Sequence, residues 1–166
     1  DAELTASNGE TIRISELLEG REALLIGLVL PGSEQVLTQA NEFNRSLDQL
    51  GDRVSVIHIV TGEGALLSDA ASMKGQSNVT WPVVRDVDSA FTRSLPTGPI
   101  DAVLVVDPAL HVPFSQGSSA ATPDLVVAVD EVQSGGPNST AAYFDTMLGP
   151  GLFLLFLSLP REEWVA

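Results

Sequence analysis

Short, predominantly apolar runs alternate along this chain with stretches of helical period. Residues 23–30, 54–60 and 102–106 are such runs, each of strand length. A strand that shows no polar face is one covered on both sides, as in the middle of a layered α/β sheet. Between the first two runs, Val36, Leu37, Ala40, Phe43, Leu47 and Leu50 recur at spacings of three and four. This spacing predicts a helix over 33–50, with Ser33 as its N-cap and Gly51 as its stop. Residues 65–74 suit a second helix, ended by Gly75. Residues 89–95 suit a small third one. A last helix is expected over 125–132, with Thr122 as cap and Pro123 at its first position, although its Val-Val-Ala-Val content would also suit a strand.

The remaining extended pieces are shorter. Asn8-Gly9 is a hairpin dipeptide between residues 3–5 and 11–14. After it, Ser15 is expected to cap a turn over 16–19. Residues 81–84 form an extended piece. Asp107-Pro108 is expected to turn the third apolar run into a strand over 110–114, where Pro113 demands an edge position. Early strand–helix alternation argues for parallel pairing with right-handed crossovers. The late strand pair argues for an antiparallel hairpin. The expected fold is α/β, a three-layer sandwich with a mixed central sheet and helices on both faces.

The pattern also sets an organisation. Residues 1–132 read as one domain, and 133–140 (Gln-Ser-Gly-Gly-Pro-Asn-Ser-Thr) read as a linker. Residues 141–166 read as an apolar C-terminal appendage. Within it, residues 148–159 are uncharged and strongly apolar, yet shorter than the ~20 residues a membrane span needs. Their burial against protein or lipid is expected, because leaving so many Leu and Phe side chains in water would cost on the order of 10 kcal/mol. They offer a route to a protein partner, to self-association or to membrane contact. They can equally fold back on the domain.

Charge narrows the partners. Eight Lys and Arg stand against 22 Asp and Glu, for a formal net charge of −14. Nucleic acid is excluded as a partner, since phosphate binding needs clustered cations. The carboxylates are spread along the chain and Lys74 is the single lysine, which fits a hydrated acidic surface suited to high salt. The other reading of the acid is a low-affinity calcium or cationic-partner surface. Asp86-Val87-Asp88 lacks the spacing of a calcium loop, and no metal or cofactor is expected. There are no cysteines, so disulfides, thiol redox chemistry and thiolate zinc sites are excluded. Three N-x-S/T triplets begin at Asn44, Asn78 and Asn138. They make these residues candidates for glycosylation in a secreted or lumenal protein. Beginning at Asp1, the chain reads as a processed or trimmed product.

Four stretches, in order, resemble the thioredoxin-like superfamily, closest to its peroxiredoxin and TlpA-like branch. They are residues 8–21 (Asn-Gly-Glu-Thr-Ile-Arg-Ile-Ser-Glu-Leu-Leu-Glu-Gly-Arg), 24–32, Trp81-Pro82-Val83-Val84-Arg85-Asp86, and 102–107 followed by Leu110-His111-Val112. The resemblance implies a thioredoxin-like sandwich over residues 3 to 132. It places the family's Cys-x-x-Cys on Ser33-Glu34-Gln35-Val36. It also places the family's cis-proline near Pro99, although Ile100-Asp101 intervene. Ser33, Glu34, Gln35 and Pro99 are therefore the candidate binding residues of a former active-site region. Three functions remain open: a redox-inactive binding or assembly domain outside the cytoplasm; an enzyme, of hydrolase type or otherwise, using Ser33 as nucleophile or Glu34 as acid–base group; and a structural subunit of a surface assembly. The enzyme requires an imidazole or carboxylate within about 3 Å of Ser33. His58, among Ile57 and Ile59, reads as a buried structural histidine.

Overall fold

A computed structural model describes residues 3–62, 64–87, 91–95 and 101–134. Its seven-stranded sheet has the order β2-β1-β5-β4-β3-β6-β7. The strands are β1 (Glu3–Ala6), β2 (Thr11–Arg13), β3 (Ala23–Val29), β4 (Val54–Val60), β5 (Val83–Arg85), β6 (Ala102–Val106) and β7 (Phe114–Gly117). The helices are α1 (Ile14–Leu17), α2 (Gln35–Leu50), α3 (Leu67–Ser77) and α4 (Thr122–Gln133). The three apolar runs become β3, β4 and β6, which lie side by side at the centre. β3 pairs parallel with β4 and antiparallel with β6, and β4 pairs parallel with β5. The sheet is mixed, as the pattern requires.

Both faces are covered because these strands are apolar on both faces. On one side Leu25, Val29, Val56, Val103 and Val105 pack with Val36, Ala40 and Phe43 of α2, Ala70 and Met73 of α3, and Leu125 and Val129 of α4. On the other side Leu24, Ile26, Leu28, Ile57, Ile59 and Leu104 pack under Ile14 and Leu18, with Phe91 and Leu95 from a 3₁₀ turn at Thr92–Ser94. Glu42 of α2 anchors α4: its carboxylate accepts the Thr122 backbone N–H at 3.0 Å and the Thr122 hydroxyl at 2.6 Å. The Thr122 hydroxyl leads the causes holding the Glu42 carboxyl below the usual carboxylate range.

Several element ends differ from the sequence reading, each for a local reason. α1 starts at Ile14, so Ser15 lies inside it and not at its cap; the Glu16 carboxylate accepts the Arg13 N–H instead. α2 starts at Gln35 and leaves Ser33 outside. α3 runs through Gly75 and stops at Asn78, which takes the left-handed conformation with φ 49°, one that asparagine tolerates. α4 starts at Thr122, whose hydroxyl serves Glu42 and does not cap its own helix. The last strand is Phe114–Gly117, not 110–114. Asp107 holds the preceding loop, accepting the His111 N–H at 2.8 Å and contacting His111 Nδ1 at 3.1 Å, while Leu110 adopts φ 66°. β7 is nevertheless an edge strand, with Pro113 just before it.

Candidate functional site

The site is built where β3 ends. Gly32, at φ 76°, turns the chain toward α2 and sets Ser33 just before the first helical turn. The Ser33 Oγ accepts the Gln35 backbone N–H at 3.2 Å, which satisfies one of the free donors of a helix N-terminus. Its own proton goes to Asp101 Oδ2 at 2.9 Å. The other oxygen of that carboxylate accepts the Leu30 backbone N–H at 2.8 Å. Asp101 stands immediately before β6, and because β6 runs antiparallel beside β3, its side chain reaches the loop between β3 and α2. One carboxylate thus closes the mouth of the helix from across the sheet, near the positive end of the helix dipole. Ser33 and Gln35 are half-buried, and Glu34 is exposed. The sequence reading counted Asp101 only as a residue out of place; the structure makes it the partner of Ser33. Pro99 lies outside the described residues.

Below this mouth lies a buried polar group. Gln39, fully buried on the inner face of α2, donates its amide to the carbonyls of Leu28, Ala102 and Ser118 at 3.3, 3.3 and 2.6 Å. It thereby ties α2 to the ends of β3, β6 and β7. His58 of β4 is also fully buried. Trp81 Nε1–H donates to His58 Nδ1 at 2.8 Å. Tryptophan is donor-only, so His58 carries its proton on Nε2. That Nε2 and the Gln39 Oε1 have no hydrogen-bond partner among the described residues. Burial pushes the His58 pKa down from 6.5 to about 3, so the ring is neutral. His58 and Gln39 fit because position 27 is glycine: a Cβ there would stand 2.4 Å from His58 Cδ2 and 2.5 Å from Gln39 Oε1. The sequence signal for Gln39 was a lone amide on the helix stripe between Val36 and Phe43.

This geometry bears directly on chemistry. A carboxylate does sit within about 3 Å of Ser33, as an enzyme would require. No imidazole joins it. His58 is committed to Trp81. His111 is at the other end of β6, since Leu28 faces Ala102 where Leu24 faces Val106. A carboxylate alone is a poor base toward an alcohol. Asp86 is likewise occupied: it accepts the backbone N–H groups of Phe91 and Thr92 and the Thr92 hydroxyl at 2.8–2.9 Å. Among the described residues no three His, Asp or Glu cluster as metal ligands.

No family model matches the sequence, and no curated protein matches it significantly. Solved structures do match the fold. A secreted disulfide oxidoreductase of Mycobacterium tuberculosis, homologous to E. coli DsbE, superposes with a TM-score of 0.61 at 12% identity, covering 78% of this chain and 94% of its own. The peroxidoxin BcpB of the same organism gives 0.60 at 15% identity, over 80% and 92%. A thioredoxin-like protein from Aeropyrum pernix gives 0.59 at 14% identity, over 81% and 89%. Sheet order, crossovers and these superpositions agree: the chain has the thioredoxin-like fold, and, containing no cysteine, it has that fold without the thiols.

Proposed function

We propose that this chain is a redox-inactive thioredoxin-like binding or assembly domain that works outside the cytoplasm and engages a protein partner. One observation carries the reading: the Asp101 carboxylate takes both the Ser33 hydroxyl proton and the Leu30 N–H. The groups a substrate would address at the head of α2 are bonded to the protein itself. Extracytoplasmic placement is supported by Asn44 and Asn78, both exposed within N-x-S/T triplets. It is supported too by the fold's likeness to a secreted protein. Asn138 and the apolar residues 148–159 lie outside the described residues. Among the described residues no helix is long and apolar enough to cross a membrane.

The Ser33–Asp101 contact also favours a second reading, a serine-dependent hydrolase with Asp101 as its base. The test is labelling with a fluorophosphonate probe and turnover of an activated ester, for the native protein and for Ser33→Ala. We expect no label on Ser33 and no turnover above blank. Insulin-disulfide and peroxide reduction should also stay at blank. Ester turnover that disappears in Ser33→Ala would overturn the binding reading and establish the hydrolase.

A further inference from the structure

Cations are few in this chain, and its own acids occupy most of those described. Arg13 holds Glu3 and Arg45 holds Glu42, each at 2.7 Å, Arg53 holds both Glu22 and Asp130, and Arg21 stands 3.8 Å from Asp52. Arg85 of β5 and Lys74 of α3 differ: neither pairs with a carboxylate of the described residues. Both are half-buried. The Arg85 Nε is closed off from solvent and has no acceptor among the described residues. A buried donor without an acceptor is costly, and this one stands so in a chain of 22 Asp and Glu.

The fold brings these two cations to one face of the sheet. In β1 and β5, Leu4, Ala6 and Val84 turn to the side of α1, and Val83 turns to the side of α3. Strand alternation then sets Thr5 and Arg85, which are cross-strand partners, on the α3 side. Val83 shares a core cluster with Ala70 and Met73 of α3, and α3 packs on β5 and reaches β1. With Ala70 and Met73 turned to the sheet, a right-handed crossover from β4 to β5 sets Lys74 on the flank of α3 toward β1. The acids close by are committed elsewhere. The Glu3 carboxylate accepts the Nε–H and an Nη2–H of Arg13 at 3.1 and 2.7 Å. Asp69 accepts the Leu66 N–H, and Asp86 accepts those of Phe91 and Thr92. The Thr5 hydroxyl makes no hydrogen bond among the described residues.

We propose that Arg85, Lys74 and the Thr5 hydroxyl form a binding site for a tetrahedral oxyanion, a phosphate or sulfate group, free or carried as an ester. The guanidinium fork supplies two parallel donors, the ammonium a third and the hydroxyl a fourth. Such a set outnumbers the two oxygens of a carboxylate and suits the three or four of a phosphate or sulfate group. A phosphate group also carries a charge near −2 at neutral pH, which two cations balance. The proposal is independent of the reading of the Ser33 site. The net charge of −14 repels anions at long range, so binding is weak, with a Kd of about 1–10 mM.

The experiment is a titration of the full, isotopically labelled chain with inorganic phosphate, inorganic sulfate, glycerol phosphate and acetate, at constant ionic strength held with sodium chloride. Nuclear magnetic resonance reads the Arg85 Nε–H and the backbone amides of Thr5, Lys74 and Arg85. Phosphate and sulfate should give saturable shifts confined to these groups, and acetate should not. Glycerol phosphate binding like phosphate assigns the site to an ester on a larger molecule; its exclusion assigns it to the free ion; either supports the site. Arg85→Gln and Lys74→Gln should each weaken phosphate about tenfold or more, the scale of one charge-assisted contact. Arg85→Lys keeps the charge but loses the fork, and should fall between native and Arg85→Gln. Spectra otherwise unchanged show that the variants fold, and Arg45→Gln should bind as the native chain does. Shifts that grow linearly without saturation overturn the proposal. So do shifts equal in Arg85→Gln and the native chain, or acetate binding as tightly as phosphate.

Discussion

His58 gives the fold a specific acid sensitivity. The ring is fully buried and neutral, with a pKa of about 3 against 6.5 in an unfolded chain. Between those two values the unfolded chain holds a proton that the folded chain refuses. Stability therefore rises with pH across this window and is lost as pH falls through it. Each pH unit with the unfolded ring fully protonated is worth ~1.4 kcal/mol. From pH 6 to pH 4.5 the loss from this one residue is then on the order of 2 kcal/mol, a substantial part of a small domain's stability. Carboxylates also titrate as pH falls, so the effect needs a reference. His58→Gln provides one: glutamine has no charge to gain, and its carbonyl can still accept the Trp81 N–H. Urea unfolding followed by circular dichroism at pH 6.5, 5.5 and 4.5 should show the native protein losing stability faster than His58→Gln, the gap between the curves narrowing toward acid. Parallel curves would refute the reasoning, because they would mean that His58 takes up its proton as readily in the folded state as in the unfolded one.

Two further outcomes follow from the packing. Gly27→Ala forces a Cβ to within 2.4–2.7 Å of His58 and Gln39. It should cost about 1–3 kcal/mol of stability, as overpacking of a tight core does. Thermal denaturation should show Gly27→Ala costing less when introduced into His58→Ala than into the native protein, since only the Gln39 contact at 2.5 Å then remains. Arg53 reaches both Glu22 and Asp130 at 2.7 Å but is over a third exposed, so Arg53→Ala should cost no more than about 1 kcal/mol. That loss should shrink in high salt, as measured by denaturant unfolding.

Much of the architecture was legible from residue order because burial leaves a local mark. Residues 23–30, 54–60 and 102–106 show no polar face, and a strand with no polar face has to lie in the interior of a layered sheet. The three- and four-residue spacing from Val36 to Leu50 admitted only a helix packed on one side. Element ends were less legible, because they depend on single side chains whose partners are distant in sequence. Thr122 looks like a cap until Glu42 is folded against it. Asn78 stops α3 where Gly75 looked the stronger stop. The strand after β6 was displaced by a loop that Asp107 closes with its own carboxylate, so that pairing resumes only at Phe114.

The candidate site divides in the same way. Sequence alone determined the negative chemistry: a chain without cysteine performs no thiol exchange, whatever its fold, and Ser33 was visible as the residue standing before α2. Only tertiary structure decided what Ser33 does, since its partner Asp101 arrives from another strand because β6 lies antiparallel beside β3. Only tertiary structure set Gly27, Gln39, His58 and Trp81 together from three strand-linked segments and a helix. Hydrophobic period is a property of neighbours along the chain, whereas a buried hydrogen bond is a property of neighbours in space, and the sheet order that makes them neighbours is set by the packing of the whole domain.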